Sequence, residues 1–347
     1  MESGLSFSAA DLAQTRFAVS PMWEVVTSYR ILARQSDTAP HRRWVAQVGP
    51  RIARAGLDRG WLDALIPGHG YLADFLNPTP TGPFPTLEAE LDAIRRTPAE
   101  QVHNDLDMLG REGNGIGGGD GNRDRGWTDG GPVSRGRNSR LGVLREAPEE
   151  ALRKIADEIE AYWEIALAPY WARIQKVLEA DVFHRARQVA EHGSARVLSE
   201  LHETVRWDDG TLRLVRLHCA LTRDQAGSGL LLIPSVFAWP KVLTRSVHPD
   251  PPQLAYPARG IGTVWEPRTT GATDAVAAVL GRSRTLLLTE LDTPSSTTRL
   301  AAHCGLSAAG VSQHLIALRN AGLVTAHRSG RSVLYARTAV ADQLLNP

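Results

Sequence analysis

The segment from 295 to 337 constrains the fold of this 347-residue chain more than any other part of it. Apolar spacing and capping residues predict a short helix over 297–304 and a second helix over 307–320. Two extended runs follow, at 323–328 and 333–337. This order predicts a helix, a tight turn, a second helix and a two-stranded wing, which is a winged helix-turn-helix.

Both helices of this segment begin with a serine and are followed by a glycine. Ser296 and Ser307 precede the helices, where a hydroxyl caps the first free N–H groups. Gly305 and Gly322 stand just past their ends, where a left-handed residue commonly ends a helix. Because free N–H groups at helix starts bind anions, we expect phosphate contacts at Ser296 and Ser307.

The second helix has two chemically different faces at 100° per residue. The stripe predicted to pack inward consists of Val311, Leu315 and Leu318. The outward positions are Ala309, Gln313, Ile316 and Asn320, with Ser312 and His314 on the flanks. A glutamine among small residues suits the major groove, where its amide can pair with adenine.

These faces predict a set of DNA contacts. Ser312 and Gln313 are expected to read bases, helped by the small Ala309. The residues expected to contact or neutralise phosphates are His314, Arg319, Arg328 and Arg331.

The distribution of charge separates the end of the chain from the rest. The whole chain has a formal net charge of +1. From Arg268 onward there are eight arginines and four acidic residues, a net charge of +4, which leaves −3 for residues 1–267. All nine tryptophans lie at or before Trp265. A basic segment without tryptophan that follows a larger body predicts two domains. We expect residues 1–267 to serve sensing or assembly, and residues 272–347 to read DNA.

The stretch LAAHCGLSAAGVSQHLIALRNAGLVTAHRSGRSVLY, residues 300–335, resembles the ArsR-type winged helix-turn-helix family of bacterial regulators. The likeness covers about 70 residues and includes VSQHL, AGLV and the GRxxxY wing. The resemblance implies a homodimer with flanking helices at 274–280 and 339–345 in the interface, and release from the operator on effector binding. In such a dimer the two second helices would enter successive major grooves about 34 Å apart on a pseudo-palindromic, double-stranded operator. Residues 7–32 also resemble, more loosely, an uncharacterised domain that precedes such modules in actinobacterial regulators.

The chain departs from the metal-sensing members of that family. Those members carry paired cysteines on the first helix of the motif, where this chain has Ser296 to Arg299. Cys304 beside His303 falls short of a tetrahedral site. No metal ion or other cofactor is therefore expected, and the effector remains an unidentified small molecule or protein.

The predicted fold class is mainly α with minor β, a large helical N-terminal domain followed by the winged helix. Residues 110–142 contain twelve glycines and are predicted to be a flexible insertion. Strands are expected at 205–215, as a hairpin, and at 230–233 and 261–265. Gly68-His69-Gly70 is predicted to be a turn whose histidine could touch a ligand.

No GxSxG, Walker or HExxH motif is present, so the chain is not predicted to be an enzyme. The amino terminus lacks the order of a signal peptide, and no apolar run approaches the about 20 residues of a membrane span. A cytoplasmic, nucleoid-associated bacterial repressor is the expectation. An enzyme or protein-binding scaffold in 1–267, tethered to DNA by the winged helix, is the alternative. Aromatic residues at 163, 170, 171, 207 and 239 could line an effector pocket or pack in the core.

Overall fold

The fold is described from a computed structural model. It describes residues 2–6, 9–34, 39–113, 132–208, 211–215, 228–265, 270–291, 295–329 and 332–345. The chain forms two compact units, Met1–Trp265 (the first unit) and Glu266–Pro347 (the second unit). Helices dominate both units, as the predicted fold class requires.

The first unit is built around helices that pack on one large apolar core. Its helices are α1 (Ala9–Ala13), α2 (Pro21–Ala33), α3 (Arg42–Ala55), α4 (Trp61–Leu65), α5 (Leu87–Arg95), α6 (Ala99–Gly113), α7 (Pro132–Glu146), α8 (Pro148–Ala166), α9 (Trp171–His192) and α10 (Ser194–Ser199). Helix α2 is buried from Pro21 to Ile31, and Ser20 caps it by accepting a hydrogen bond from Trp23 N. Trp44 and Tyr162, both fully buried, bring α3 and α8 into the same core.

Two small sheets complete the first unit. Its strands are β1 (Glu2–Ser6), β2 (Arg16–Phe17), β3 (Val205–Asp208), β4 (Thr211–Val215), β5 (Leu231–Ser235), β6 (Leu243–Arg245) and β7 (Gln253–Pro257). One sheet is antiparallel, in the order β1-β4-β3, with Trp207 opposite Leu212. The other has the order β2-β5-β7-β6, and β2, β5 and β7 run parallel. Strand β5 is buried along its whole length, as is typical of a central parallel strand.

Three predictions for the first unit need correction. The range predicted for the flexible insertion, 110–142, is too wide, because α6 extends to Gly113 and α7 begins at Pro132. Residues 114–131 lie outside the described part of the chain. Pro132 fits the first helical turn, and the fully buried Leu144 anchors α7 in the core. The strand expected at 261–265 is a 3-10 turn, Ile261–Val264, that follows a left-handed Gly260.

The third correction concerns strands in the predicted helical beginning of the chain. Strand β1 pairs with β4, so Glu2 lies opposite Val215. Strand β2 pairs with β5, so Arg16 lies opposite Leu231. Both partners are about 200 residues away, and local periodicity carries no signal for such pairings.

The second unit has the predicted order of helices and wing strands around a core of its own, together with one short strand that the sequence did not predict. Its elements are α11 (Thr270–Leu280), α12 (Arg282–Glu290), β8 (Ser295–Ser296), α13 (Thr297–Cys304), α14 (Ala308–Asn320), β9 (Val324–Ser329), β10 (Ser332–Arg337) and α15 (Ala339–Leu345). Leu287, Leu288 and Leu300 from α12 and α13 are buried with the apolar stripe of α14. Strands β9 and β10 form the wing, and β8 joins them in a three-stranded sheet in the order β8-β10-β9.

Candidate nucleic-acid interface

Helices α13 and α14 begin with the predicted serine caps. The Ser296 hydroxyl accepts a hydrogen bond from Arg299 N at 3.3 Å. The Ser307 hydroxyl accepts one from Gly310 N at 3.1 Å. Between the two helices Gly305 has a φ of 65°, which a residue with a side chain rarely adopts. The sharp turn between the helices therefore depends on a glycine at this position.

Helix α14 buries one stripe and presents the opposite face to solvent. Val311, Leu315 and Leu318 are at most 1% exposed, as the spacing predicts. Ala309, Gln313 and Asn320 are exposed on the other side. Burial of the stripe fixes the rotation of the helix, and this rotation holds Gln313 away from the core. The outward face is thus available to a groove of DNA.

The predicted contact residues on α14 differ in exposure. Arg319 is exposed, whereas Ser312 is half-buried at the edge of the outward face. His314 is also half-buried, and at 100° per residue it lies a quarter turn or more from Gln313. The geometry therefore brings Ala309 and Gln313 together. The phosphate contact expected of His314 stays a prediction.

The wing is a tight hairpin held to the start of α13. Ser329 lies opposite Ser332 in the ladder between β9 and β10. Leu334 of β10 also pairs with Ser296, which joins the wing to the cap of α13. Arg328 lies in β9, where the backbone alone is described, and Arg331 lies outside the described residues. The expected phosphate contacts of these two arginines remain predictions.

Ile316 is a surface feature that the set of predicted contacts omitted. It is 46% exposed, one turn beyond Gln313 on the same outward face. An exposed aliphatic side chain at the centre of such a face can contact the methyl group of thymine. The outward position was evident from the helical spacing, but the predicted contacts were chosen for polar groups or small size.

The polar contacts near Cys304 are ordinary surface contacts. His303 Nδ1 lies 3.6 Å from Glu290 Oε2, and both side chains are partly exposed. Burial raises the pKa of the Cys304 thiol, and the nearby Glu290 carboxylate raises it further. Within the described part of the chain, no group of three or more His, Cys, Asp or Glu residues could hold a metal ion.

The aromatic residues considered for a pocket in the first unit do not share one. Trp163 and Trp171 contact each other with ring centroids 4.8 Å apart. Tyr170 instead contacts Trp265, and Trp207 packs on the second apolar core. Trp239 is 40% exposed and lines a different surface cleft.

Of the described helices, none is long and apolar enough to cross a bilayer.

Comparisons with known families agree with the architecture that the sequence resemblance implies. Residues 286–326 match the model of bacterial regulatory proteins of the arsR family. Residues 137–262 match a family of unknown function, DUF5937. This second match lies downstream of residues 7–32, where the looser resemblance was noted. Comparisons with curated proteins and with solved structures gave no match. The second unit therefore carries an ArsR-family helix-turn-helix, the module of a DNA-binding transcriptional regulator, behind a domain of unknown function.

Proposed function

We propose that this chain, which carries an ArsR-family DNA-binding module, is a homodimeric repressor that binds a pseudo-palindromic operator and is released by an effector bound in residues 1–267. The exposed face of α14 carries this proposal. It combines the small Ala309 with Gln313 and Ile316, opposite a fully buried stripe. This face can approach base edges closely, and its amide and aliphatic groups can distinguish A·T pairs.

The dimer is supported by apolar side chains that the second unit leaves exposed. Val279 of α11 is 84% exposed, and Val340 and Leu344 of α15 are 60% and 41% exposed. Helices α11 and α15 also contact each other. We propose that a second copy of the chain covers these side chains. Burying them would stabilise the pair by about 25 cal/mol for each Å² of apolar surface.

DNA binding is tested by fluorescence anisotropy of the whole protein on its own upstream region and on scrambled DNA. Wild type should bind the native sequence more tightly, with an affinity that falls steeply as salt rises. Gln313→Ala changes both recognition helices of the dimer, and each lost base contact is worth about 1–3 kcal/mol, so native binding should weaken by at least about 30-fold. Gln175→Ala on α9 is the matched control and should bind as wild type does.

Two results of that assay would contradict the proposal. One is equal affinity of Gln313→Ala and Gln175→Ala for the native sequence. The other is an absence of binding at low salt, where phosphate contacts are strongest.

The dimer is tested by sedimentation of variants at the exposed apolar side chains. Val279→Asp and Val340→Asp should shift wild-type dimer to monomer, because an unpaired carboxylate in the interface is costly to desolvate. Val143→Asp on α7, at a valine that is 43% exposed, is the control and should leave the mass unchanged. A monomeric wild type, or a dimer in all three variants, would refute the interface.

A further inference from the structure

The outward face of α14 has a chemistry that restricts which base pairs it can read. One ridge of the helix, with steps of four, three and four residues, carries Ala309, Gln313, Ile316 and Asn320. All four side chains are exposed, and Ile316 is 46% exposed although it is aliphatic. Every residue of α14 is described, and this ridge contains no arginine or lysine. The side chains that point towards base edges are therefore neutral.

The basic side chains of α14 lie on its flanks. At 100° per residue, Arg319 lies about 90° from the middle of the ridge, and His314 lies about 130° from it on the other side. Groups on the flanks of a helix in a groove face the phosphates at the walls of that groove. Guanine is most commonly recognised by arginine or lysine through its O6 and N7 atoms. The ridge of α14 therefore lacks the usual means of reading guanine.

The neutral groups of the ridge match A·T pairs. The amides of Gln313 and Asn320 can donate to N7 of adenine and accept from its N6 amino group. An aliphatic side chain such as Ile316 matches the 5-methyl group of thymine, which the other three DNA bases lack. Gln313 and Ile316 are about 4.5 Å apart along the helix axis, and successive base pairs are about 3.4 Å apart. These two side chains therefore fit neighbouring base pairs.

We propose that α14 reads two adjacent A·T pairs in each half-site, with the Gln313 amide on the adenine of one pair and Ile316 against the thymine methyl of the next. The neighbouring Leu315 is fully buried, and its packing holds Ile316 on the outward side of the helix. Operator affinity then depends on a methyl group as well as on hydrogen bonds. This inference names the kind of base pair that the operator presents, and it rests on the proposed function.

Deoxyuridine substitution tests the contact, because uracil differs from thymine only by the absence of the methyl group. The DNA should be an operator that the whole protein has selected from a random library, with each thymine replaced in turn. Fluorescence anisotropy should reveal one thymine in each half-site at which replacement weakens wild-type binding. The expected loss is about 4-fold for one half-site and about 15-fold for both, as for one and two buried methyl groups.

Variants at Ile316 assign the methyl contact to this side chain. Ile316→Ala should bind the thymine and uracil operators equally, whereas Ile316→Val should keep part of the wild-type discrimination. Because the Ile316 side chain is exposed and alanine favours helices, the replacement should leave the fold intact. Val143→Ala on α7, at another exposed aliphatic residue, is the matched control and should discriminate as wild type does.

Three results would overturn the inference. One is equal binding of wild type to the thymine operator and to every uracil operator. Another is the same loss on uracil substitution in wild type and in Ile316→Ala, since a different residue would then contact the methyl group. The third is a selected half-site without two adjacent A·T pairs.

The selection also separates this inference from the proposed function. If the protein enriches no sequence, the regulator proposal fails and this inference fails with it. If an operator is enriched and bound, but wild type tolerates uracil at every thymine, the proposed function stands and the reading by Ile316 alone is refuted.

Discussion

Glu24 should make the stability of the first unit fall as pH rises. Its side chain is fully buried, and both carboxylate oxygens lie near Val236 N, at 3.1 and 3.2 Å. Burial raises its pKa from 4.5 to about 8, with hydrogen bonds from Ser235 and Val236 opposing the shift. The folded protein therefore holds a proton that the unfolded chain loses above its ordinary pKa. The resulting stabilisation is complete below pH 4.5 and is lost as the pH rises through 8.

The magnitude follows from the two pKa values. Between pH 5 and pH 9, the difference in protons bound to Glu24 between the folded and unfolded states integrates to about three pH units. At about 1.4 kcal/mol per unit, this is about 4 kcal/mol of unfolding free energy. Glu24→Gln is neutral at every pH and should remove this part of the slope. Burial also raises the pKa values of Glu90 and Asp74 to about 7. These two groups likewise make the stability fall as pH rises, and both are still present in Glu24→Gln. The difference between wild type and Glu24→Gln isolates Glu24.

Urea unfolding followed by tryptophan fluorescence at pH 5, 7 and 9 measures this difference. All nine tryptophans lie in the first unit, so the signal reports that unit alone. Glu164→Gln, at an exposed position on α8, is the matched control and should follow the wild-type profile. Parallel profiles of wild type and Glu24→Gln across the pH range would refute the reasoning, since Glu24 would then titrate alike in both states.

Two further predictions concern other buried groups. Leu315→Ala in the fully buried stripe of α14 should destabilise the second unit by about 2–5 kcal/mol. Hydrogen exchange of peptides from 297–320 should accelerate accordingly, and unchanged protection would contradict the packing. His41 is fully buried, its Nδ1 accepts a hydrogen bond from Trp265 Nε1 at 3.0 Å, and burial lowers its pKa to about 4. The neutral ring of His41 therefore stabilises the first unit fully above pH 6.5, and this stabilisation is lost as pH falls through 4. An NMR titration of the His41 ring with a midpoint at pH 6 or higher would contradict its burial.

The second unit was more predictable from sequence than the first, because its signals are local. Val311, Leu315 and Leu318 recur at helical spacing, and the capping role of Ser307 needs only Gly310, three residues away. The strand β8 was missed, since its two residues are ordered by pairing with Leu334 and Tyr335 across the wing. The outward face of α14 was predicted, but the predicted contacts on it, which were polar or small residues, omitted Ile316.

The first unit depends on contacts between distant residues. The hairpin at 205–215 was predicted from the Asp209-Gly210 pair between two extended runs, whereas the third strand of its sheet, β1, comes from the start of the chain. Burial lowers the pKa of His69, and the charges of Arg34 and Lys241, which are more than 200 residues apart in the sequence, lower it further. The His69 turn suggested a ligand contact, but no sequence pattern could place Lys241 beside it. Glu24 likewise resembles an ordinary acid in the first turn of a helix until the fold buries it.

Hydroxyl-radical footprinting of the whole protein tests the central claim most directly. The DNA should be an operator selected from a random library by the protein itself, so that no target sequence is assumed. A dimer that inserts two α14 helices predicts two protected patches about one helical turn apart, related by a pseudo-dyad. Gln313→Ala should lose this pattern at equal protein concentration. A single patch, or a selection that enriches no sequence, would contradict the account of this chain as a dimeric operator-binding regulator.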